Sequence, residues 1–173
     1  RQRHLTIPCE MCIRDREEMT AEVRRRVGSA IYGQDGQTLE SVVLARLCYL
    51  GWSLAVLDCG SGGMLAAALT SASQPGVFTQ SSETACDKFS RKLHEWMVRT
   101  QSQVGIAASL LPVEDKQVLT MVLTTPIQEK HVVRSYGGPP GNAPAWATRT
   151  ALDSLRQELN RIDQSQTNLQ IGT

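Results

Sequence analysis

The chain has 173 residues, of which 41% are hydrophobic, 20% charged and 5% aromatic. That balance supports one core of Leu, Val and Ala, excludes a disordered or fibrous chain, and leaves too little length for two ordinary domains. The formal net charge of +1 supplies no global field for nucleic acid or an anionic membrane, and no apolar run is long enough to span a bilayer.

Residues 1–16 show neither a helical nor a strand period, contain Pro8, and are expected to be a disordered lead-in. With no initiating Met, the chain is expected to follow an upstream domain. Cys9 and Cys12 have Cys-x-x-Cys spacing, but zinc needs a second ligand pair and the redox motif needs a βαβ neighbourhood, so no metal is expected. The five cysteines are odd in number and scattered, which fits reduced thiols in a cytoplasm.

Met19, Val23, Val27 and Ile31 recur every four residues and predict a helix over 17–31, with Arg24-Arg25-Arg26 on its solvated face. Thr38, Glu40 and Ser41 open a second helix over 38–50 that Gly51 ends. The continuous apolar run Ser53 to Leu57 predicts a strand over 53–58 buried on both faces. A glycine turn at 60–63 feeds a small-residue helix over 62–71, then come a strand over 76–80 and a helix over 82–100 carrying Phe89, Leu93, His94, Trp96 and Met97. Strands follow over 103–109, 117–124 and 130–135, the last two joined at Thr125-Pro126. Asn142 caps a final helix over 143–162, with Pro144 in its first turn and a frayed tail over 164–173. Strands interleaved with helices predict an α/β fold, a three-layer α/β/α domain over 17–163 with a mixed sheet and an antiparallel edge.

Chemistry is plausible where the first strand meets its glycine loop, Asp58-Cys59-Gly60-Ser61-Gly62-Gly63. Backbone N–H groups and the positive end of a helix dipole gather at such a junction and stabilise anions or a developing oxyanion. Cys59 is a candidate nucleophile there, and equally a small apolar residue at a strand end. Asp58 either orients a base or accepts backbone N–H bonds; Ser61 either attacks or caps the helix. The spacing does not choose between Cys59 and Ser61.

Tyr32-Gly33, Asp35-Gly36, Thr38-Leu-Glu40, Gly51-Trp-Ser-Leu-Ala-Val56 and the run Asp58 to Thr70, taken in order, resemble the C-terminal domain of the CinA (competence- and damage-inducible) family. The likeness continues through Gly105-Ile-Ala107, residues 118–125 and Gly137-Gly138, covering about 15–162. It implies a metal-free, cofactor-free amidohydrolase of NAD metabolism that converts nicotinamide mononucleotide to nicotinate mononucleotide and ammonia through a Ser nucleophile. Homodimers are implied as well, while the low net charge and the lack of a spanning apolar run leave no nucleic-acid or membrane partner expected.

In that family the loop reads Glu-Ser-Cys-Thr-Gly-Gly, so by position Asp58 replaces Glu, Cys59 the catalytic Ser, Gly60 Cys and Ser61 Thr, while Gly62 and Gly63 are unchanged. Gln80 stands where the family has Tyr and Ala85 where it has Lys, leaving Lys88 as the nearest amine, with His94 a further candidate base. The family's glycine-rich phosphate loop is reduced to Ser109-Leu-Leu-Pro112, in which Pro112 has no N–H to offer. The expected catalytic set is therefore Cys59, Ser61, Asp58 and Lys88, with Gly60, Gly62, Gly63, Gln80 and Ser109 toward substrate. The alternative is an inactive CinA-like domain serving assembly or ligand sensing.

Overall fold

Asp58 and Cys59 end the second strand from one edge of a five-stranded sheet, and the rest of the fold is laid out around that strand. The computed structural model describes residues 10–33, 36–72, 78–80 and 89–171. Its strands are β1 (Leu54–Cys59), β2 (Phe78–Gln80), β3 (Val104–Val113), β4 (Lys116–Thr124) and β5 (Glu129–Tyr136), in the order β2-β1-β3-β4-β5. β1 pairs in parallel with β2 and β3, whereas β3–β4 and β4–β5 are antiparallel. The helices are α1 (Glu10–Val27), α2 (Leu39–Leu50), α3 (Met64–Ala72), α4 (Phe89–Thr100) and α5 (Ala143–Ile171).

The described residues divide into two compact units, one ending at Tyr32 and the other beginning at Gly33. In the first, α1 runs into a 3-10 turn over Gly28–Ala30, and Glu22 accepts from Arg25 at 2.7 Å and from Arg26 at 2.6 Å. Residues 10–16 are helical, so the expected disordered lead-in is corrected there, where an Arg/Glu-rich sequence propagates a helix without an apolar period to announce it; residues 1–9 lie outside the described residues.

In the second unit, α2 starts as expected: Thr38 accepts from the Ser41 amide at 3.2 Å, Ser41 accepts from the Thr38 amide at 3.1 Å, and Gly51 closes the helix in the left-handed region. Helices α2, α3 and α5 cover one face of the sheet through Leu47, Leu54, Leu65, Leu69, Leu152 and Leu155. On the other face, Leu93, Trp96 and Met97 of α4 pack on Leu57, Ala107 and Val122. Gly105 permits that approach, since a Cβ there would stand 2.4 Å from the Met97 sulfur. The three-layer α/β arrangement with a mixed sheet is thus the observed one.

Two expectations need correction. Ser109 to Pro112 is not a loop: β3 continues to Val113 and pairs with β4 as far as Val113 opposite Lys116, around a two-residue turn. The antiparallel partner supplies ladder bonds that outweigh Pro112's missing donor near the strand end. The tail is not frayed from residue 164 either, because α5 runs to Ile171. For the helix expected over 82–100, described residues begin at Phe89; Lys88 and Ala85 lie outside the described residues.

Candidate functional site

Strand alternation divides the candidate residues between the two faces of the sheet. Leu54 and Val56 point into the core under α2, α3 and α5, and Asp58, two residues on, shares that side. Leu57 belongs to the cluster under α4, so the same period assigns the Cys59 side chain to α4's face. Cys59 pairs in register with Ser109, and Ser109 with Thr120. The strand therefore separates the carboxylate from the sulfur that it was expected to assist.

Cys59 is disulfide-bonded, whereas Cys48 is a free, exposed cysteine. The expectation that all cysteines are reduced thiols is corrected at Cys59. Pairing of two sulfurs depends on where the fold brings them, which scattered positions in sequence do not reveal. A disulfide sulfur is no nucleophile toward an amide, so that role requires prior reduction.

Asp58 and Ser61 do come together. The Ser61 hydroxyl donates a short hydrogen bond to Asp58 Oδ2, with Asp58 7% and Ser61 5% exposed. The loop between them makes this possible: Gly60, Gly62 and Gly63 all have positive φ, at 82°, 69° and 79°. At Gly60 the space is restricted too, because a Cβ would meet the Leu110 carbonyl oxygen at 2.1 Å. Asp58 thus receives a hydroxyl, not the backbone N–H bonds that were its alternative reading, and Ser61 is turned back toward the strand. Gly63 accepts the first bond of α3, from the Ala67 amide at 2.9 Å.

A small cavity lies against this pair, bordered by Asp58, Cys59, Ser61, Leu110, Ala147 and Thr148 among others, and encloses about 10 Å³. Asp58 Oδ1 and Thr148 Oγ1 are buried without a hydrogen-bond partner. Thr148 was absent from the expected set. Its signal in the sequence is a hydroxyl within the small, apolar stripe Ala143, Ala147, Ala151 and Leu152 of α5.

The other candidates fall elsewhere. Ser109 is buried within β3, paired on both sides in register, so its backbone serves the sheet. Gln80 ends β2 opposite Val56 in the parallel ladder. On α4, His94 Nδ1 lies 2.9 Å from the Ser90 carbonyl and Nε2 lies 3.2 Å from Glu129, whose other oxygen is 2.8 Å from His131. Both ring nitrogens are thereby engaged away from the glycine loop. Among the described residues no group of three His, Cys, Asp or Glu is arranged to hold a metal ion, and no helix is long and apolar enough to cross a membrane.

Comparison with known proteins bears out the family resemblance at the level of fold. No family model matches the chain. Over 62 residues, 36% of the chain, it is 37% identical to a CinA-like protein of Thermomicrobium roseum, of which the match covers only 15%. Solved structures of competence-damaged protein (CinA) superfamily members share the architecture. That from Klebsiella pneumoniae superposes with a TM-score of 0.61 at 18% identity, covering 74% of this chain and 99% of its own. That from Escherichia coli gives 0.59 at 18% identity, covering 76% and 98%.

Proposed function

We propose that this chain, a divergent protein with the CinA-superfamily fold, does not hydrolyse the nicotinamide nucleotide and serves as an assembly domain. The carrying observation is the enclosure of Ser61 and Asp58, which face each other beside a cavity of about 10 Å³. A ligand pocket is normally several hundred Å³, roughly 300 or more. Amide hydrolysis needs a nucleophile, a proton acceptor and oxyanion donors converging on an accessible point. Here the glycine loop retains donors, but the hydroxyl is committed to a buried carboxylate and the sulfur to a disulfide on the other face. The stretch corresponding to the phosphate loop is strand.

Assembly is favoured by exposed Leu111, Val113 and Val133, which alternation places on α4's side of the sheet beyond the cluster that α4 covers. Self-association into a homodimer is the expected form. Light scattering at micromolar concentration should give twice the chain mass, and a monomer would sink the assembly reading.

Catalysis is tested separately, by ammonia release from nicotinamide mononucleotide at neutral pH, with and without a thiol reductant. No release is expected in either condition, nor saturable binding below millimolar concentration by calorimetry. Ammonia released only after reduction, and lost in Cys59→Ala, would restore the amidase with Cys59 as nucleophile.

A further inference from the structure

We infer that β5 is a dimerisation edge, pairing antiparallel with β5 of a second copy about a two-fold axis at Val133. The inference rests on the homodimer reading proposed for this chain and names the surface that forms it. β5 is the last strand of the sheet, with β4 on one side of it. Its eight residues, Glu129–Tyr136, pair with β4 without interruption, and six of them are exposed. Every second residue of such a strand turns its N–H and C=O outward, where a further strand can take them up.

The devices that blunt an exposed edge are missing from β5. Natural edges are short, bulged or interrupted by proline, or they carry charges that repel another strand. β5 has no bulge in its register with β4 and no proline. Two of its charges are drawn off to the faces of the sheet: Lys130 lies 3.6 Å from Glu158 of α5, and Glu129 lies 3.2 Å from His94 of α4. Arg134 remains, and it selects the register.

A two-fold axis perpendicular to the sheet keeps each side chain on its own face, so one residue must sit on the axis. Two registers use the strand most fully. With Val132 on the axis residues 129–135 pair, and Lys130 stands directly opposite Arg134 of the other copy, a destabilising placement of like charges. With Val133 on the axis residues 130–136 pair: Val133 meets its own copy, Val132 faces Arg134, His131 faces Ser135 and Lys130 faces Tyr136. No two residues of like charge are then directly opposed, and Val133, 61% exposed in the single chain, gains an apolar partner. In that register β5 is its own complement, which makes a second copy the occupant.

The test uses the full chain. Light scattering should give a dimer for the unmodified chain and a monomer, still folded by circular dichroism, for Val133→Lys, which sets two like charges face to face on the axis. Under air oxidation Val133→Cys should form a covalent dimer bridged at position 133, as located by peptide mass spectrometry, because directly opposed residues bring their Cα atoms within disulfide reach. Val132→Cys should not bridge at its own position. A dimer that persists in folded Val133→Lys, or one that bridges through Val132→Cys and not through Val133→Cys, would overturn the β5 pairing and leave the homodimer reading standing. A monomeric unmodified chain would overturn both. If Val133→Lys does not fold, the two cysteine variants decide.

Discussion

The Ser61 hydroxyl donates to Asp58 Oδ2 across the turn that follows β1, and both side chains are buried. A buried carboxylate that loses a donor keeps its desolvation cost without the compensating bond. Ser61→Ala should therefore lower the unfolding free energy by about 1–3 kcal/mol in urea titrations. Asp58→Asn and the double variant complete a cycle whose coupling should be about 1 kcal/mol or more. Additive effects would mean that the two side chains do not interact.

Gly60 and Gly62 both occupy the left-handed region, at φ of 82° and 69°, but only Gly60 has backbone within reach of an added Cβ. Gly62→Ala should cost roughly 1–2 kcal/mol, the conformational term alone. Gly60→Ala adds a collision with the Leu110 carbonyl and should cost roughly 3 kcal/mol or more. Equal losses in thermal unfolding would argue against the contact between this loop and β3.

Thiol labelling separates the described cysteines. Alkylation of the native chain without reductant should modify exposed Cys48 and leave Cys59 untouched. After unfolding and reduction, peptide mass spectrometry should find Cys59 modified as well. Complete alkylation of Cys59 in the unreduced, unfolded chain would contradict the disulfide.

Arg25 and Arg26 hold the Glu22 carboxyl below its ordinary range by hydrogen bonding, Arg25 contributing more. Because the folded value is depressed, the stabilisation of α1 is present above the unfolded carboxylate value and disappears as pH falls through the folded one. Carbon-detected NMR titration should show Glu22 protonating at lower pH than a glutamate of an unstructured peptide. The difference should shrink in high salt, since all three side chains are solvent-facing.

Local chemistry alone determined much of this protein. Thr38 and Gly51 bound α2 because a hydroxyl can cap and a glycine can turn left-handed, whatever surrounds them. The apolar run at 54–57 could only be a strand covered on both faces, and the glycines at 60–63 had to be a turn. Ser109 to Pro112 read as a failed loop because strand propensity is decided by the partner, and β4 lies there only once the hairpin has formed.

The site depended still more on long-range placement. Adjacency made Asp58, Cys59 and Ser61 look like one constellation, yet the two-residue period of β1 turns the Asp58 and Cys59 side chains to opposite faces of the sheet. Thr148, ninety residues along the chain from Asp58, reaches the same cavity because α5 packs on β3 and β4 beside the end of β1. Which neighbours share a hydrogen bond, a disulfide or a cavity is set by packing between elements, and a one-dimensional pattern carries no record of it.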